Sequence, residues 1–147
     1  MSIYFDDLNI GDEIPSLATG PITETQLVRY SGASGDFNPI HTVHHIAEEA
    51  ELGGVIAHGM FVMGLVGRAI TNWVSVAPLR QYGVRFVGMT RPGEVITVSG
   101  QVVEKMEVDG EYRVRCEVSA IDQTGQQKVK GSFVVALPKK ENVVPGE

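Results

Sequence analysis

Gly59-Met-Phe-Val-Met-Gly-Leu-Val-Gly-Arg-Ala-Ile-Thr-Asn-Trp-Val74 is apolar on nearly every face of a helix. Such a helix must be covered on several sides, so the rest of the chain has to wrap it. It is shorter than the roughly 20 residues of a membrane span, and it carries Arg68, so no span is expected. Gly64 and Gly67 lower its intrinsic propensity and leave tertiary packing to hold it. They also let a strand or a second helix come close.

Working outward, the apolar period changes to two from residue 79. Tyr112, Val114, Cys116, Val118 and Ala120 alternate with Arg113, Arg115, Glu117 and Ser119, the pattern of a half-buried strand. Asp109-Gly110 signals a hairpin to a preceding strand over Val95–Lys105. Gln123-Thr-Gly-Gln126 marks another turn, and a last alternating strand runs from Val129 to Leu137. On the other side, Thr23-Glu-Thr-Gln26 predicts a capping box for a short helix through Leu27, Val28 and Tyr30, ending near Gly32. Val43, Ile46, Ala47 and Ala50 predict a second short helix, stopped by Gly53-Gly54. Helices first and an antiparallel sheet after them give an α+β chain whose curved sheet wraps the apolar helix. One domain is expected over residues 1–138, with 139–147 as a polar tail.

The 147 residues suffice for one domain with a sound core, and 43% hydrophobic against 20% charged is a globular balance. A formal charge of −6 argues against a non-specific nucleic-acid binder. Any contact with a polyanion then falls to local cations, and Arg80, Arg85 and Arg91 flank the first long strand. Cys116 is the only cysteine, which excludes an internal disulfide and fits a reducing compartment. The opening residues lack the basic-then-apolar pattern of a leader, so the cytoplasm is expected.

The chemistry concentrates in Tyr30-Ser-Gly-Ala-Ser-Gly-Asp-Phe-Asn-Pro-Ile-His41. Pro39 pushes Asn38 out of the α region, so Asp36 and His41 belong to an irregular loop rather than a helix. Such a loop brings a carboxylate and an imidazole onto one reacting atom, the arrangement of general acid–base catalysis. His41, His44 and His45 have helical spacing for a metal. Yet no Glu stands between them, and Pro39 puts His41 at a helix edge, so no metal is expected.

Gly35-Asp36-Phe37-Asn38-Pro39-Ile40-His41, with Tyr30 before it, Ala47 after it and Ala57-His58-Gly59-Met60 downstream, resembles the MaoC-like (R)-specific enoyl-CoA hydratases. The similarity extends through Tyr82-Gly83-Val84-Arg85-Phe86, from about Thr23 to about Leu137. The resemblance implies a hot-dog fold without a cofactor. It implies that Asp36 and His41 are the catalytic pair for interconverting trans-2-enoyl and (R)-3-hydroxyacyl thioesters of CoA or acyl carrier protein. It further implies a homodimer, or a heterodimer with a second hot-dog subunit, with the pantetheine arm running between subunits.

Hydrating an unsaturated thioester requires an activated water, a proton for the adjacent carbon and stabilisation of charge on the thioester oxygen. Asp36 and His41 suit the first two. Gly59 suits the third, because a helix starting there has unpaired N–H groups and no side chain to block approach. Asn38 is the candidate for positioning substrate or water, or else holds the loop. His58 reads either as a packed imidazole or as a participant. Two other readings are a hot-dog thioesterase and a non-catalytic acyl-thioester-binding or partner subunit. The absence of Asp and Glu from Gly59–Val74 tells against the first, and the retained Asp36 and His41 against the second.

Overall fold

The computed structural model describes residues 2–140. A two-residue strand β1 (Leu17–Ala18) is followed by helices α1 (Glu24–Ser34), α2 (His44–Glu49) and α3 (Gly59–Val74). Strands β2 (Leu79–Phe86), β3 (Thr97–Val108), β4 (Glu111–Ile121) and β5 (Gln127–Ala136) complete the chain. The predicted capping box opens α1: Thr23 Oγ1 accepts from the Gln26 amide at 3.1 Å, and Gln26 Oε1 accepts from the Thr23 amide at 2.9 Å. The helix runs past Gly32 to Ser34, because the residue that takes the left-handed cap is Gly35, at φ +75°. That cap turns the chain into the Asp36 loop.

The sheet is antiparallel in the order β1-β3-β4-β5-β2. Its inner face supplies Val98, Val102, Val114, Cys116, Ala120, Val129, Phe133 and Val135, all essentially inaccessible, and these pack around Val62, Val66, Ala69, Ile70 and Val74 of α3. Strands β5 and β2 approach closely at Gly131, where a Cβ would stand 2.1 Å from the Gly83 carbonyl. Only glycine permits that approach.

The last strand, β5, is interior, between β4 and β2, so among the described residues the unpaired edge belongs to β2. The opposite edge along β3 is covered by the N-terminal segment, through bonds such as Gly11 N–H to Val102 O at 2.8 Å and Ile14 N–H to Gly100 O at 3.0 Å. Helix α3 is covered on several sides but keeps an exposed stripe of Met60, Gly64, Arg68 and Asn72 at four-residue spacing. Phe61 and Trp73 pack against the core only partly buried, whereas Val66 and Ile70 are fully enclosed. Of the helix glycines Gly64 and Gly67, Gly67 faces the Tyr82 ring, from which an added Cβ would stand 3.7 Å, while Gly64 faces open space.

No helix among the described residues is long and apolar enough to cross a membrane. Lys140 pairs with Asp7, and its amide donates to Asp6. The remainder of the expected tail, residues 141–147, lies outside the described residues.

Candidate active site

Asp36 and His41 meet as the spacing predicts. The short 3₁₀ turn Pro39–His41 starts at Asn38, whose Oδ1 accepts from the Ile40 amide at 3.2 Å. One step earlier, Asp36 Oδ1 accepts from the Asn38 amide at 3.2 Å. Two successive side-chain turns thus fold the loop back on itself. They leave Asp36 Oδ2 3.8 Å from His41 Nε2, the carboxylate half exposed and the imidazole nearly buried. Since its Oδ1 is engaged, what Asn38 has left for a substrate is its NH₂ group.

The His41 tautomer follows from its other nitrogen. Nδ1 stands 2.7 Å from the Ile56 carbonyl, which only accepts, so Nδ1 carries the hydrogen. With the hydrogen on Nδ1, the neutral form of the ring presents the Nε2 lone pair toward the carboxylate. The two atoms are close enough to share one water lying beside them, at an ordinary hydrogen-bond distance of about 2.8 Å from each.

His58 is the neighbour whose role sequence reasoning left open. Its ring stacks on His41 with centroids 3.8 Å apart. Its Nε2 lies 3.2 Å from the Asp36 backbone carbonyl and 3.0 Å from Ser31 Oγ on α1. The carbonyl only accepts, so Nε2–H is the donor. Burial pushes its pKa down from 6.5, and the neighbouring His41 lowers it further. Tyr30 closes the far side, edge-on to both His58 and Phe61. The Ala57-His58-Gly59 signal was visible in the chain, but no spacing rule foretells a stacked pair of imidazoles 17 positions apart.

Asp36, His41 and His58 also bring possible ligand atoms within 4.8 Å of one another. The stacking tells against an ion there. Nearly parallel rings aim their in-plane lone pairs side by side, not at a common point, and one nitrogen of each ring already donates to a carbonyl.

Gly59 is the first residue of α3, directly after His58. The Phe61 and Val62 amides turn back to the His58 carbonyl, while those of Gly59 and Met60 have no protein acceptor among the described residues. A Cβ on Gly59 would stand 3.3 Å from carbons of the Phe86 ring. Arg80 is committed elsewhere: its guanidinium grips Glu111 through Nε and Nη2 and donates to the Ala77 carbonyl. Arg85, on the open β2 edge, stays exposed. A broad concavity of the protomer lies away from this site. It lies on the outer sheet face among Ser99, Gln101, Glu117 and Lys130, whereas the Asp36 loop stands on an open rim beside exposed Phe37, Met60, Phe86 and Met89.

A half-barrel sheet around one helix, with an acid–imidazole pair at its rim, defines a hot-dog enzyme. Residues 8–124 match the family described as the MaoC like domain, and the chain belongs to that family of hydratases and dehydratases, a hydro-lyase. Over 97% of its length the chain is 29% identical to the 3-hydroxybutyryl-CoA dehydratase of Methylorubrum extorquens, spanning 89% of that protein. It is 28% identical to the (R)-specific enoyl-CoA hydratase of Rhodospirillum rubrum, with 93% of each chain covered. The R-hydratase PhaJ1 of Pseudomonas aeruginosa superposes with a TM-score of 0.80 at 26% identity, covering 95% of this chain and 88% of that one.

Proposed function

We propose that this protein adds water to trans-2-enoyl thioesters of CoA or acyl carrier protein, and removes it from (R)-3-hydroxyacyl thioesters. The observation that carries the reading is the 3.8 Å approach of Asp36 Oδ2 to Nε2 of His41. A water held between them loses a proton to Nε2 as its oxygen bonds to C3 of the enoyl group. Asp36 orients that water and stabilises the imidazolium. The C2–C3 double-bond pair shifts toward the thioester, whose oxygen gains charge against the Gly59 amide at the positive end of α3. The proton then passes to C2, so one water is consumed and no net proton is released. The direction in use follows substrate and product levels. Asn38 positions the water or the thioester through its free NH₂ group.

Assembly is part of the same reading. The free β2 edge, the open rim and the exposed stripe of α3 all lack a cover among the described residues. A homodimer closes them, with a second hot-dog subunit as the alternative partner, and the acyl chain then lies near the interface. The expected compartment is the cytoplasm.

The test is the enoyl-thioester absorbance band with crotonyl-CoA as substrate. Hydration bleaches the band without releasing thiol. Thiol release would identify a thioesterase, and an unchanged band would identify a binder.

A further inference from the structure

Lys128, at the start of β5, has only 2% of its surface exposed, and the mechanism above makes no use of it. Its ammonium donates to the Met89 carbonyl at 2.7 Å and to Glu94 Oε1 and Gln126 Oε1 at 3.2 Å, with Asp122 Oδ2 at 3.3 Å. Burying a lysine is costly unless such partners surround it, and an apolar side chain would fill the same space more simply. The partners are themselves fastened. Asp122 Oδ1 accepts from the Thr124 hydroxyl and from the Thr124 and Gln126 amides, and Glu94 Oε2 accepts from the Arg91 amide. The ammonium is therefore a fixed point, and the Met89 carbonyl is the backbone it holds.

Met89 lies in the segment crossing from β2 to β3. Lys128 grips that segment twice, since its own carbonyl accepts from the Val87 amide at 2.9 Å and from the Gly88 amide at 3.3 Å. The next carbonyl along, Thr90, accepts from the Ala57 amide at 2.7 Å. Two residues after Ala57 stands Gly59. The other side of the same extended stretch is tied to the site loop, through Ile56 N–H to the Ile40 carbonyl at 3.2 Å and His41 Nδ1–H to the Ile56 carbonyl at 2.7 Å. Residues 56–59 are thus suspended between the loop carrying Asp36 and His41 and the crossing segment that Lys128 anchors.

We propose that Lys128 is a positioning residue of the reaction: by fixing the Met89–Thr90 backbone it sets where the Gly59 amide stands relative to Asp36 and His41. The inference rests on the reading of Gly59 as the amide that meets the thioester oxygen.

The probe is butyryl-CoA labelled with ¹³C at the thioester carbonyl, which binds but has no double bond to hydrate. Infrared difference spectra of the bound label report polarisation of that carbonyl. Wild-type protein should shift the stretch to lower frequency, and folded Lys128→Met should shift it less. With crotonyl-CoA the variant should lose about 10- to 100-fold in kcat, as a displaced catalytic group does, with a smaller change in KM. The limbs of its pH–rate profile should stay in place, because Asp36 and His41 are untouched. Lys128→Met combined with Glu94→Gln leaves less unpaired charge and carries the same test should the single variant not fold. A wild-type shift retained with wild-type kcat in the folded variant would overturn the role of Lys128 alone. No shift in the wild-type protein would instead overturn the Gly59 reading, and this inference with it.

Discussion

The imidazoles of His41 and His58 lie face to face, with centroids 3.8 Å apart and planes 24° from parallel. His58 also holds the backbone carbonyl of Asp36, so one buried ring touches both members of the proposed acid–base pair. Burial, and His41 beside it, lower the His58 pKa and so favour its neutral form. A charged ring in that place would oppose protonation of His41 during the reaction.

Asp36→Asn and His41→Ala should each abolish most hydration while leaving the fold in place, since Asp36 is half exposed and both stand on a loop. Losses of about 10²–10⁴-fold are expected for a general acid or base, and more if the two act as a unit. Initial rates with crotonyl-CoA on variants checked by circular dichroism decide the matter. A rate near that of wild type from either one would remove the dyad from the mechanism.

His58 predicts a pH effect on stability. In the unfolded chain it titrates near 6.5, and in the folded protein lower. Below about pH 6.5 the unfolded state therefore binds a proton that the folded state refuses, and stability falls as the pH drops. Above that range both states are neutral and the effect vanishes. His58→Gln should flatten the slope of urea midpoint against pH between 7.5 and 5.5, though it lowers the midpoint itself by loosening Asp36. Equal slopes in the two proteins would count against a neutral buried His58.

Core stability should follow enclosure rather than side-chain size. Ile70→Ala, at a fully enclosed position, should cost roughly 2–5 kcal/mol. Phe61→Ala and Trp73→Ala should fall below the roughly 3–5 kcal/mol usual for enclosed aromatics, because both rings are only partly buried. Urea unfolding gives the order directly. Trp73→Ala proving the most damaging of the three would contradict the packing described.

The open β2 edge predicts association. Light scattering over a dilution series should show a dimer of this chain, or a monomer that dimerises only with a second hot-dog subunit. Specific activity should fall in parallel with dimer content on dilution. Full activity in a demonstrated monomer would overturn the proposed cover for the rim.

Much of this molecule was legible in its residues. The bounds of α3 follow from an apolar run that begins at Gly59 and ends at Val74, and the hairpin at Asp109-Gly110 joins β3 to β4 where the turn signal stands. The pairing of Asp36 with His41 was legible too, because Gly35 and Pro39 are local constraints on the backbone between them. These features depend on residues a few positions apart, where sterics and periodicity act directly. What depends on distant segments was not legible. The place of β5 inside the sheet, the open β2 edge and the exposed stripe on α3 arise only once the sheet has curled. The stacking of His58 on His41 and the grip of Lys128 on Met89 join segments 17 and 39 positions apart. Alternation shows which side of a strand is apolar, but not which strand lies next to it. That choice is made by the packing of the whole chain around α3.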